Sequence, residues 1–421
     1  MNILIKSAII IDPNSKYHNK KRDILIERGV ITKIAPNIIN HKIKIFSAKD
    51  LHISTGWLDL HANFRDPGFE HKEDIITGCS AAAKGGFTNV VLMPFNQPKT
   101  DNNAQVRYIL SKGNNNIVTV HVAGSITKEM NGKEMVEMYD MKKAGAIAFT
   151  DDKKSLQNNK IMKQALLYAK DFNGLIMNFA NDISISNGGQ INEGKVSTEL
   201  GLKGIPAMAE EIMIDRDISL CNYTDSRLHL SYISTIEGVN KIKKAKKAGT
   251  KITADVALHN LILTDDSTRQ FDSNYKVIPP LRDKKTCKAL LRGLKEGIID
   301  IICTDHNPED TENKRTEFNN AAFGIIGLET AFGLIGKYLS EDLSLDEIIQ
   351  KISINPRKLL NLKYNSIEEG NYADLTLFNP YIEWEYLEEN IISKSKNTPF
   401  IGESLKGKAI AIYNNNNFSI L

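Results

Sequence analysis

The residues best placed to do chemistry lie in Gly56-Trp57-Leu58-Asp59-Leu60-His61-Ala62-Asn63-Phe64-Arg65. The first half of this stretch reads as an apolar strand, and side chains two apart on a strand share a face. His61, Asn63 and Arg65 therefore leave one strand end on one side. A His-x-His pair at such a point would deliver two imidazoles to a metal ion. Here the second position is Asn63, whose amide is a far poorer ligand for zinc. Arg65 keeps a guanidinium able to fork to a carboxylate.

A strand end carrying such groups needs a scaffold, and the chain is long enough to supply one. Its 421 residues suffice for a large barrel with a small accessory domain. The 54 basic and 51 acidic residues leave a net charge of +3, a balance that favours neither nucleic acid nor a membrane surface as partner. Cys79, Cys221, Cys287 and Cys303 are scattered with no C-x-x-C pair, as expected of reduced thiols in a cytoplasmic protein. The opening Met1-Asn2-Ile3-Leu4-Ile5-Lys6 reads as a strand rather than a secretion signal. No apolar run approaches the roughly 18 residues of a membrane span.

Three zones follow along the chain. Residues 1–52 hold short strand-like runs (Ile3 to Ile11, Asp23 to Glu27, Val30 to Ile34, Ile43 to Phe46), the pattern of a small antiparallel sheet. Over 53–365, helical segments alternate with apolar strands: Glu73 to Lys84 then Asn89 to Met93, Glu134 to Lys143 then Ala146 to Phe149, Ile161 to Ala169 then Gly174 to Phe179. The alternation continues with Leu228 to Ile233, Lys251 to Val256 and Ile299 to Thr304. Six or more such units predict an α/β fold with a parallel sheet closed into a (β/α)8 barrel. Residues 366–421 return to strand character in Ala373 to Phe378 and Ala409 to Tyr413, so both ends of the chain are expected to join in one small β-sandwich beside the barrel.

In a barrel, reactive groups belong at the C-terminal strand ends. Those ends offer His61, Asn63 and Arg65; Met93-Pro94-Phe95-Asn96; Asp151-Asp152; Phe179; His229 and Tyr232; His259; and Asp305 to Glu309. Asp305 ends the run Ile299 to Thr304, so its carboxylate suits metal binding or proton exchange with an attacking water. A capping role is the alternative for Asp305, as for Asp151 and Asp152. His61 could equally be a buried, hydrogen-bonded histidine. His229 and His259 read as packing or supporting residues, and His71 as structural. Tyr232 could ligate only as a phenolate, at a cost set by its pKa near 10.

Across nearly its whole length the chain resembles the dihydroorotase branch of the cyclic amidohydrolases. The resemblance rests on an ordered set of stretches: Asp66-Pro67-Gly68-Phe69-Glu70-His71-Lys72-Glu73-Asp74, Ala83-Lys84-Gly85-Gly86-Phe87-Thr88, Asn192-Glu193-Gly194 and Leu200-Gly201-Leu202-Lys203-Gly204-Ile205-Pro206. It continues through Pro279-Pro280-Leu281-Arg282, Thr304-Asp305-His306-Asn307-Pro308, Phe323-Gly324-Ile325-Ile326-Gly327-Leu328-Glu329-Thr330 and Gly370-Asn371-Tyr372-Ala373-Asp374-Leu375. It implies a metal-dependent barrel with a composite sandwich. It also implies reversible hydrolysis of the cyclic amide dihydroorotate to N-carbamoyl-aspartate in pyrimidine (UMP) synthesis.

The site implied by the resemblance carries over in part. His61, Asp151 and Asp305 match metal-ligand positions, with Asp305 also the catalytic acid–base residue. Asn63, Phe179 and Tyr232 stand where three further histidine ligands are expected. Arg65, Phe323 and Gly324 match substrate contacts, whereas Phe95, Ile278 and Glu309 depart from the family's Asn, Asn and His. Glu309 sets a negative charge where a substrate carboxylate would lie, opposing binding by about a few kcal/mol. The expected cofactor is zinc, one ion at most or none. Two functions follow: a dihydroorotase acting on dihydroorotate or carbamoyl-aspartate, or a non-catalytic homologue that serves as structural partner of aspartate transcarbamoylase. A homodimer is the expected assembly.

Overall fold

The computed structural model describes residues 1–40 and 42–421. At its centre, eight parallel strands follow one another in chain order: Trp57–Ala62, Phe87–Leu92, Thr119–Gly124, Ala146–Phe149, Ile176–Phe179, Leu228–Ser231, Ile252–Ala257 and Ile301–Cys303. A parallel bridge from Ala62 to His306 brings the last strand back to the first, closing the (β/α)8 barrel that the alternation predicts. Helices begin where the sequence provides caps. Asp74 accepts from the Ile76 and Thr77 amides ahead of Ile75–Lys84, and Asp283 accepts from Thr286 N–H ahead of Lys284–Lys295.

Strand alternation sorts the side chains into two layers. Leu228, Leu230, Ala254 and Val256 pack outward against helix residues such as Ile214, Val239 and Leu290. Their neighbours His229 and Asp255 must then face the barrel interior. Met93, Met177, Phe179, Tyr232 and Cys303 form the interior cluster there.

The two ends of the chain build one further eight-stranded sheet around its own core of Ile3, Ile5, Ile24, Ile53, Leu375, Leu377 and Tyr413. Its strands are Ile3–Ile11, Lys21–Glu27, Val30–Ala35, Lys44–Phe46, His52–Thr55, Leu375–Tyr386, Glu403–Asn414 and Asn417–Ile420. The sheet is mixed rather than antiparallel. Ile3–Ile11 pairs antiparallel with Lys21–Glu27 but parallel with both Lys44–Phe46 and His52–Thr55. After two reversals through the hairpins the chain runs again in its first direction, so the returning strands add in parallel.

Sheet and barrel meet at Gly56. A Cβ there would lie 2.0 Å from both Asp374 Oδ1 and Thr88 Oγ1, so only glycine fits. Arg357 donates to the Gly56 carbonyl at 2.6 Å and pairs with Asp374 at 2.7 Å, tying the barrel's lower end to the terminal sheet. Next to it Trp57 is fully buried, with its ring centroid 4.6 Å from Phe332 and 5.6 Å from Phe378, and its indole N–H donates to Ser54 Oγ. Trp57→Ala is expected to cost about 4 kcal/mol, read as a lower urea midpoint at unchanged m. A loss below about 1 kcal/mol would show that this junction does not hold the two parts together.

Candidate functional site

At the C-terminal mouth of the barrel the sequence-predicted residues separate into three groups. The first lies deepest. His61 Nε2 donates to Asp255 Oδ2 at 2.5 Å, and His229 Nε2 donates to the same oxygen at 2.7 Å. Asp255 Oδ1 accepts from Tyr232 N–H at 2.7 Å and from the Cys303 thiol at 3.6 Å. On its far side His229 Nδ1 meets Thr253 Oγ1 at 2.8 Å. All of these groups but Thr253 are buried. Burial alone would raise the Asp255 pKa, but the two imidazoles outweigh it and hold the carboxyl well below the usual range. Burial likewise disfavours charge on His61, yet Asp255 raises its pKa above the ordinary imidazole value.

The second group sits above it. Asp305 is held in left-handed backbone geometry, with φ of 51°, and Lys153 Nζ donates to its Oδ2 at 2.6 Å. His259 Nε2 lies 3.7 Å from the same oxygen. Burial pushes the Asp305 carboxyl up to about 6, against the opposing pull of Lys153. Burial pushes His259 down to about 3, with Lys153 adding to the effect. Asp152 accepts from Tyr232 OH and from Asn63 Nδ2, each at 3.4 Å. Burial and the Asp152 charge raise the Tyr232 phenol well above its ordinary value, so it stays protonated and is no phenolate ligand.

The third group closes one wall. Arg65, with φ of 59°, donates to Glu309 Oε1 at 2.7 Å and to Asn307 Oδ1, and its guanidinium lies 5.1 Å from the Phe95 ring centre. Lys72 reaches Glu309 Oε2 at 2.5 Å. The expected repulsion from Glu309 is thus neutralised from within. The carboxylate that Arg65 binds is the protein's own. Phe323 and Gly324 border this wall: the Phe323 carbonyl accepts from Asn307 Nδ2 at 3.3 Å, and Gly324 N–H donates to the Lys276 carbonyl at 3.0 Å.

Asp151 does not join His61 or Asp305. Its Oδ1 accepts from the Ile126 and Thr127 amides at 2.8 and 3.0 Å, and its Oδ2 from the Thr127 hydroxyl at 2.5 Å. The side chain caps the neighbouring loop, and the left-handed turn at Asp152 (φ 48°) presents that carboxylate to the mouth instead. Asp255 and Lys153 are the functional candidates that sequence reasoning missed, and of the Asp151-Asp152 pair it favoured the wrong carboxylate. Phe179 packs edge-on at 6.1 Å to the Tyr232 ring and offers no ligand atom.

Among the described residues, His61, His229 and Asp255 could offer a metal three ligand atoms within 4.8 Å of one another. Their geometry is that of hydrogen bonds. A tetrahedral zinc at about 2.0–2.1 Å from each ligand needs ligand atoms about 3.3 Å apart, wider than the 2.5 and 2.7 Å contacts here. Asp305, the other ligand candidate, already faces an ammonium. The residues present do not fit a two-ion centre.

Residues 52–238 match the family described as Dihydro-orotase-like. The chain is 41% identical over 411 residues to a dihydroorotase from Carboxydothermus hydrogenoformans, covering 97% of this chain and 95% of that protein. It is 44% identical over 410 residues to a dihydroorotase from Caldicellulosiruptor saccharolyticus, covering 96% and 95%. Among solved structures, the L-hydantoinase (dihydropyrimidinase) from Arthrobacter aurescens superposes with a TM-score of 0.88 over 100% of this chain and 97% of that one, at 19% identity, a likeness of fold. No helix among the described residues is long and apolar enough to cross a membrane.

Proposed function

Because the chain belongs to the dihydroorotase family, we propose that it serves pyrimidine synthesis as a non-catalytic homologue, a structural partner of aspartate transcarbamoylase. One observation carries this reading. The imidazole that the first barrel strand still delivers, His61, is spent with His229 on Asp255. The other expected histidine positions hold Asn63, Phe179 and Tyr232. The residues present do not assemble the two-ion centre that would activate a water for cyclic-amide hydrolysis. The pairing of Arg65 with Glu309 supports the same conclusion from the substrate side, since a bound carboxylate would have to displace Glu309.

A second reading, a weakened enzyme holding one zinc, is favoured by the three ligand atoms around Asp255 and by the relatives' identity. It requires both imidazoles to give up their Nε2 protons and move off the carboxylate. Purified protein assayed in both directions, with dihydroorotate and with N-carbamoyl-aspartate, separates the two. No turnover above the uncatalysed rate is expected with or without added zinc or manganese, together with co-elution with aspartate transcarbamoylase from the same cell. Metal-dependent turnover would establish the second reading, and separate elution would remove the partner role.

A further inference from the structure

The fourth barrel strand ends at Phe149, and Thr150-Asp151-Asp152-Lys153 turns across the mouth. That turn brings an ammonium to where the barrel's carboxylates converge. Lys153 Nζ is 2.6 Å from Asp305 Oδ2 and lies over the Tyr232 ring, 5.0 Å from its centre. The Lys153 side chain is only 14% exposed and that of Asp305 only 1%. Asp152, held by Tyr232 OH and Asn63, adds a second carboxylate to the mouth. Two buried polar atoms beside the ammonium have no partner, Asp305 Oδ1 and His259 Nε2. Both are donor atoms that a cation would engage.

We propose that the Lys153 ammonium is a built-in substitute for a divalent cation at Asp305, and that removing this side chain opens a cation site at Asp305 and His259. The charge balance requires some cation here, because an ionised carboxylate buried without a partner is costly. An ammonium supplies one positive charge and three donors. It brings no open coordination position for a water, so the pocket keeps its shape without gaining a nucleophile. Being tethered, it competes with free ions at an effective concentration in the millimolar range or above. The proposal rests on the metal-free reading of the site given above. It adds which residue excludes the ion.

Lys153→Ala and Lys153→Gln variants of the full chain test this by equilibrium dialysis against manganese and by thermal unfolding with added manganese or methylammonium chloride, sodium chloride serving as control. The unsubstituted protein should take up no stoichiometric manganese and show no shift. Lys153→Ala should melt about 5 °C lower, recover most of that loss with either cation, and bind close to one equivalent of manganese. A further Asp305→Asn change should abolish both effects. Lys153→Gln keeps a donor for Asp305 without the charge. It guards against simple failure to fold, and should show the same cation-dependent recovery on a smaller scale. Variants that neither bind manganese nor respond to either cation would overturn the role of Lys153 and leave the metal-free reading standing. Stoichiometric manganese in the unsubstituted protein, with dihydroorotate turnover, would overturn both.

Discussion

Replacing Asp255 by alanine is expected to lower the unfolding free energy by about 4 kcal/mol at neutral pH. The carboxylate accepts from both imidazoles, the Tyr232 amide and the Cys303 thiol, and only the thiol has another acceptor, the Val256 carbonyl, so its loss leaves three buried donors without one. Asp255→Asn keeps the shape but offers one acceptor oxygen, and should lose about half as much. The pH dependence follows from the shifts. The depressed Asp255 pKa contributes stability above about 3.8 that is lost as pH falls through the folded value. The raised His61 pKa contributes stability below about 6.5 that is lost as pH rises through its folded value. The cost of the alanine change should therefore be greatest between those limits and shrink in acid. Urea titrations of both proteins across that range measure it. A loss under 1 kcal/mol at pH 6 would mean that the imidazoles find other acceptors.

Asp59→Asn should do the opposite, stabilising the protein at neutral pH. Burial pushes the Asp59 carboxyl up to about 6 although it accepts from Thr304 N–H at 2.7 Å and Thr304 Oγ1–H at 2.8 Å. A carboxyl whose folded pKa is raised gives stability that is full below about 3.8 and disappears as pH rises through about 6. At pH 7.5 the ionised group therefore costs about 3 kcal/mol relative to its protonated form. Asparagine imitates the protonated form. Its Oδ1 still accepts the Thr304 amide, and the Thr304 hydroxyl can accept from Nδ2. The gain should be about 2–3 kcal/mol at pH 7.5 and close to zero at pH 4. An equal gain at both pH values would show that Asp59 does not titrate in this window.

How much of this was legible depended on sequence distance. The barrel could be read from apolar runs alternating with helical segments, and His61, Arg65 and Asp305 from their place at strand ends. Asp255 could not. In Ile252-Thr253-Ala254-Asp255-Val256-Ala257 a single carboxylate interrupts an apolar strand, and its partner His61 lies 194 positions away. A lone acid facing a barrel interior was the available signal. Lys153 was hidden differently, since the preceding Asp151-Asp152 pair drew the reading to ligands or caps and nothing local marks the following lysine as facing the mouth. Which of the pair's two carboxylates faces the mouth is decided by the Ile126 and Thr127 amides, which the local sequence does not contain. The role of Arg65 was half legible: the fork was evident, but not that Glu309 fills it.

The mixed terminal sheet sets a timing problem for the growing polypeptide. The strand His52–Thr55 is sandwiched between Ile3–Ile11 and Leu375–Tyr386, so one of its hydrogen-bonding edges belongs to a segment made about 320 residues later. At about 5–20 residues per second, synthesis leaves that edge open for about 15–60 s. Throughout that interval the ribosome displays a short run of unpaired amides and carbonyls beside an isoleucine-rich hairpin, the kind of surface that recruits a neighbouring nascent chain. The barrel emerges in between and can close on its own strands. Translation speed through the middle of the message then sets how long this edge of the terminal sheet goes unpaired.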